Sequence, residues 1–145
     1  MVTVHKLQID LDYLIFAWQD ESPDTAYYLD SDTGSVVLVQ RDLSDLDDLR
    51  DEIELQPNRY LYVPKPSPEQ VELDLTDFIY TISDAKLKSL LTVAFEGTNR
   101  LAACKTILKQ QPAEAERWNQ FRTQAVKERV RRWLAANNLE ADQSA

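Results

Sequence analysis

The sequence is poor in the residues on which most recognisable chemistry depends: it holds one histidine, one cysteine and two glycines in 145 residues. Two glycines, Gly34 and Gly97, cannot build the glycine-rich loop of a P-loop or of a dinucleotide-binding fold. A single histidine, His5, leaves a histidine-based triad one candidate and a two-histidine metal site none. Its place ahead of the first helix reads as a solvated residue. Cys104 alone makes neither an internal disulfide nor a thiolate zinc site, which fits a reducing cytoplasm. It falls on an apolar helical stripe, where a free thiol packs as a small hydrophobe. Long apolar runs are missing as well. The longest, Leu14 to Trp18, is far short of the roughly 18 residues of a membrane span, and the N-terminus has no basic stretch leading into an apolar segment. On these grounds we assign no catalytic residue, cofactor, metal or membrane, and expect a cytoplasmic protein.

What is present is a foldable chain: 43% hydrophobic and 28% charged, with six prolines, at a size typical of one domain. The net charge of -9 is unevenly spread. Residues 1–99 carry 7 basic against 20 acidic side chains, a net of -13, whereas residues 100–136 carry 9 against 3, a net of +6. Either the basic helices pack on the acidic remainder, within a Debye length of about 8–10 Å, or they offer a face to an anionic partner.

Leu7, Leu11, Leu14, Ile15 and Trp18 recur at helical spacing, with Asp10 placed to cap the first turn. Two runs rich in Tyr and Val, Ala26 to Asp30 and Ser35 to Val39, flank Ser31-Asp32-Thr33-Gly34 and spell a β-hairpin with Gly34 at a positive-φ position. Leu43, Leu46, Leu49 and Ile53 mark an acidic helix ended by Pro57. Arg59 to Val63 reads as a third strand. Ser67-Pro68-Glu69-Gln70 is a capping box opening a helix that buries Val71, Leu75, Phe78, Ile79 and Ile82. The next helix starts at Ser83, buries Leu87, Leu90, Leu91, Ala94 and Phe95, and stops at Gly97, a residue suited to a left-handed cap. Thr98 caps a short helix through Leu101, Cys104 and Leu108, and Pro112 begins the longest helix, to about Asn137. The expected architecture is α+β: a small three-stranded antiparallel sheet, hairpin plus one strand, packed with about six helices. Residues 1–138 read as one domain and 139–145 as a frayed tail.

Asp30-Ser31-Asp32-Thr33-Gly34 starts like a calcium loop, but Ser35 and Arg41 stand where such a loop needs glycine and glutamate. A turn whose aspartates bond their own backbone is the better reading. The acidic run Asp42, Asp45, Asp47, Asp48, Asp51, Glu52 and Glu54 reads as a solvated helix face. On the last helix Trp118, Phe121, Ala125, Val126, Val130, Trp133 and Leu134 form a broad apolar arc, and Arg122 and Arg129 fall inside it. A half-buried guanidinium needs a carboxylate partner; failing one, Trp118, Arg122, Arg129 and Trp133 line a partner or anion site. Lys127, Arg131 and Arg132 lie on the more polar side, where they can meet phosphates or water.

The segments Ile9-Asp10-Leu11, Tyr27 to Asp30 with Thr33 to Val37, Arg59-Tyr60 with Val63-Pro64, Asp77-Phe78-Ile79, and Pro112 with Trp118 to Arg122 and Arg132-Trp133-Leu134 follow an order that resembles a widespread bacterial family of unknown function, uncharacterised protein family 0158. The resemblance spans nearly the whole chain. It implies a small cytoplasmic α+β protein and carries no activity. The residues themselves point to a non-catalytic module that binds another protein, through Trp118, Trp133 and hairpin tyrosines. The alternative is a nucleic-acid-binding protein using the basic helices of residues 100–136.

Overall fold

The computed structural model describes residues 4–20, 22–40 and 47–142. Elements follow the order β1 (His5–Leu7), α1 (Leu11–Gln19), β2 (Thr25–Asp30), β3 (Val36–Gln40), α2 (Asp47–Leu55), β4 (Tyr60–Tyr62), α3 (Pro68–Tyr80), α4 (Ala85–Phe95), α5 (Arg100–Lys109), α6 (Pro112–Ala136) and β5 (Leu139–Ala141). The fold is α+β, with an antiparallel sheet in the order β3-β2-β4. The chain forms two compact units, Met1–Pro66 with Val126–Ala145, and Ser67–Ala125. The division falls inside α6, so no linker composition marks it in the sequence.

The first unit is built on the hairpin. Tyr28 pairs with Val37 on one side and Tyr62 on the other. Leu14 and Leu29 are fully enclosed in a core shared by α1, β2 and the second half of α6, where Val126, Val130 and Leu134 turn inward. The opposite face of the sheet packs Val39 and Tyr60 against Ile53 of α2. Leu43 and Leu46 lie outside the described residues.

Asp10 caps α1, its Oδ1 accepting from the Tyr13 amide at 3.1 Å, but Leu7 is not part of that helix. It belongs to β1, which pairs parallel with β5 in the register His5 to Leu139 and Leu7 to Ala141. Residues 139–141 therefore form a strand where fraying was expected, and Leu139 is buried; residues 143–145 lie outside the described residues. Asn138, at φ 62, turns α6 into β5, a conformation that Asn tolerates better than other non-glycine residues. Gly34, at φ 83, is held twice over: a Cβ there would lie 2.4 Å from the Gln8 carbonyl oxygen.

The second unit is helical. Ser67 caps α3 by accepting from the Gln70 amide at 3.0 Å, with Pro68 in the first turn. Val71, Leu75, Phe78, Ile79 and Ile82 are all buried. Asp84 rather than Ser83 caps α4, through the Lys86 and Leu87 amides. Gly97 does not adopt a positive φ; α4 ends at Glu96 in a right-handed conformation, and Asn99 stands at the start of α5. Leu90 is exposed: Leu87, Leu91, Ala94 and Phe95 define the inward face by i, i+4, i+7 and i+8, and Leu90 sits on its flank. Among the described residues no helix is long and apolar enough to cross a membrane.

Candidate functional site

Asp30 shows what the hairpin turn does with its acidic residues. Its Oδ1 accepts from the Asp32 and Thr33 amides at 2.9 and 3.3 Å, and its two oxygens take the Arg59 Nε and Nη2 at 3.0 and 2.9 Å. The Arg59 fork and the turn amides hold its carboxyl down at about 2 despite burial. Arg59 also lies 3.4 Å from Asp32 and over the Tyr60 ring, while the Tyr60 hydroxyl donates to Glu52 at 2.9 Å. With every strong contact of the Asp30 carboxylate occupied by protein donors, the cluster locks β2, β4 and α2 together.

Other titratable groups are likewise committed. The Tyr27 hydroxyl donates to Asp20 at 2.6 Å, a bond that lowers the Asp20 carboxyl; burial, then that bond, raises the Tyr27 phenol. Cys104 is fully buried, 3.8 Å from the Leu91 carbonyl, and burial pushes its thiol up, away from the thiolate a nucleophile needs. His5 is exposed on β1. Buried Asp74 accepts from Gln70 Nε2 at 3.2 Å.

The four residues singled out on the last helix fall in different units. Trp118 and Arg122 belong to the second, Arg129 and Trp133 to the first. Trp118 is 7% exposed and packs on Phe78 and Phe121 with ring centroids 5.4 and 6.3 Å apart, so it serves the core. Half-buried Trp133 meets Trp18 edge-on at 5.9 Å. Arg122 and Arg129 are half-buried, and neither is without a partner. Of the hairpin tyrosines Tyr27 is buried and Tyr28 half-buried; Tyr62 of β4 is exposed.

The polar-side residues divide. Arg132 and Arg131 both lie near Glu128, at 4.0 and 3.5 Å. Lys127 and Arg131, one turn apart on α6, line a cleft of about 660 Å³ within the first unit. Lys6 of β1 faces them, with Leu11, Leu134 and Leu139 also in the lining. A second, more polar groove of about 840 Å³ runs past His5, Asp32 and Asn58.

Large apolar side chains are exposed at Phe16 and Leu55 of the first unit, at 56% and 81%, and on two consecutive helices of the second. On α3, Leu73 and Tyr80 are 60% and 74% exposed; on α4, Leu90 and Val93 are 51% and 67% exposed. Leu73 and Tyr80 are two turns apart on one stripe, and the Lys88 ammonium of α4 lies 5.5 Å from the Tyr80 ring centre. The sequence signal for these residues is a surplus: each helix has more large apolar side chains than its inward arc can hold.

A family model described as an uncharacterised protein family, UPF0158, matches residues 4–144. A UPF0158 protein of Chlamydia pneumoniae is 25% identical over 129 residues, covering 87% of this chain and 40% of the relative. A UPF0158 protein of Chlamydia trachomatis serovar D is 24% identical over 130 residues, with 88% and 40% covered. The chain thus spans about two fifths of the length of the curated relatives it matches. No solved structure matches it.

Proposed function

The chain belongs to the uncharacterised family UPF0158, whose name carries no activity, and on that premise we propose a non-catalytic, cytoplasmic protein-interaction module. The observation that carries the reading is the exposure of Leu73, Tyr80, Leu90 and Val93 on the two consecutive helices α3 and α4. Single exposed hydrophobes are ordinary, but several large ones on neighbouring elements mark an association surface, and aromatic anchors dominate protein interfaces. The commitment of Asp30 to Arg59 and the buried, raised thiol of Cys104 also support a binding role over a catalytic one.

The test is a photo-crosslinking residue placed at Val93 and, as a control, at Lys105, an exposed position on α5. Irradiation in native lysate, with and without nuclease, is expected to give discrete protein adducts at Val93 that survive nuclease and are absent at Lys105. Leu90→Asp, on the exposed flank, is expected to abolish them while leaving helical circular dichroism intact. Equal labelling at both positions overturns the reading. Adducts that vanish with nuclease shift it to nucleic acid bound by the basic helices of residues 100–136, with Lys127, Arg131 and Arg132 as the phosphate contacts.

A further inference from the structure

The cleft between α6 and the β1–β5 pair has the makings of a small-molecule site independent of the α3–α4 surface. Its volume of about 660 Å³ lies within the range of about 300–1,000 Å³ common to ligand pockets. Its accessible apolar lining comes from Val4, which is 52% exposed, and half-buried Leu11, backed by the buried Leu134 and Leu139.

The charges on its walls are arranged unequally. Lys6 and Glu140 sit opposite each other in the parallel register of β1 and β5, so their charges offset one another. Asp142, whose amide donates to the Leu7 carbonyl at 2.7 Å, has a partner of its own. On the α6 wall, Arg131 makes a 3.5 Å contact with Glu128 in which both side chains are largely exposed, a pairing of small worth. Lys127 is half-buried, and among the described residues it has no carboxylate within ion-pair distance. Lys127, with no ion-pair partner among the described residues, lies one turn from the Arg131 guanidinium beside apolar side chains of the same cleft, an arrangement that favours an anion carrying an apolar body.

We propose that this cleft binds a small organic carboxylate, its head group held by Lys127 and Arg131 and its hydrocarbon part laid on Val4 and Leu11. The carboxylate accepts charge-assisted hydrogen bonds from the two cations, and its apolar part removes surface of Val4 and Leu11 from water. Neither contact requires a reaction.

The probe is octanoate, titrated into the whole protein while backbone amide resonances are followed by NMR, with octanol, octylamine and acetate as comparisons. Octanoate is expected to shift the amides of Lys127, Arg131 and Leu139 saturably. Octanol, which keeps the chain but loses the charge, should bind about tenfold or more weakly, the worth of a charged hydrogen bond. Acetate and octylamine should leave these resonances in place. Lys127→Gln should weaken octanoate by about tenfold while leaving helical circular dichroism intact; Arg131→Gln tests the second cation in the same way. Octanol matching octanoate, an unchanged affinity in both variants, or shifts spread evenly over the two units would each overturn the proposal. So would displacement of octanoate by a thymidine oligonucleotide, since the cations would then serve phosphates. None of these outcomes bears on crosslinking at Val93, so the two readings stand or fall separately.

Discussion

Asp30 and Arg59 carry the sharpest electrostatic consequence of the fold. The Asp30 carboxyl is held at about 2, below the roughly 3.9 of an unfolded aspartate. A carboxyl depressed on folding stabilises the native state above its unfolded value and ceases to do so as pH falls through its folded value. The contribution is therefore complete above about pH 5 and lost between about pH 4 and pH 2. Asp30→Asn is expected to destabilise the protein by on the order of 2 kcal/mol at neutral pH, because a charged acceptor of two Arg59 bonds is removed. Chemical denaturation at a series of pH values checks this: wild type and variant should converge as pH approaches 2, and a constant gap would deny the assigned cause. Half of this arrangement was legible in the sequence. The turn and its aspartate bonds follow from Asp-Ser-Asp-Thr-Gly, and Gly34 from the need for positive φ. That Arg59 closes on Asp30 was not legible, since 29 residues of chain separate them and only the β2–β4 pairing brings them together.

Elements with local signals were readable and those with distant partners were not. The α3 helix announces itself by Ser67-Pro68 and the inward residues Val71, Leu75, Phe78 and Ile79 at helical spacing, all four buried, and Ile82 is buried just past its end. The β1–β5 pair gives no such signal. Each strand has three residues, too few for alternation to show, and their partners lie at opposite ends of the chain. The one local clue is Asn137-Asn138 after the long helix, since Asn is the usual non-glycine residue in the left-handed position that ends a helix. Asn138 carries a φ of 62, and its carbonyl accepts the His5 amide at 2.9 Å. A β-branched residue pays about 1–2 kcal/mol to occupy that conformation. Asn138→Val is accordingly expected to speed hydrogen exchange at the His5 and Asp142 amides, whereas Asn138→Gly should leave both protected. Equal loss in the two variants would show that the side chain, not the backbone angle, holds the strands. The cleft lined by Lys6, Lys127 and Arg131 was unreadable for the same reason: two of its cations are a recognisable helical pair, but the third wall exists only because β1 meets β5.

At the scale of the whole molecule, charge and apolar surface are assigned to different jobs. The net charge of -9 sets a repulsive field for polyanions, while the basic stretch of residues 100–136 pulls the other way. Part of that basicity is neutralised within each unit: Arg100 lies 3.8 Å from Glu72, Arg117 bonds Glu114 at 2.6 Å, and Arg131 and Arg132 lie near Glu128. The exposed α3–α4 side chains, by contrast, are apolar, and burial of apolar surface is hardly weakened by added salt. These two physical origins separate the readings of function whatever the partner turns out to be. If Lys127, Arg131 and Arg132 each contacted a phosphate, affinity would fall by roughly 2–3 orders of magnitude for a tenfold rise in salt, at about 0.9 logarithmic units per contact. An apolar α3–α4 interface predicts the opposite. Between about 50 and 500 mM sodium chloride, where screening shortens from about 14 to 4 Å, adduct yield at Val93 is expected to stay within about twofold. A yield that collapses across this range would place the partner's grip on the charges of the molecule and remove the basis for an interface built on Leu73, Tyr80, Leu90 and Val93.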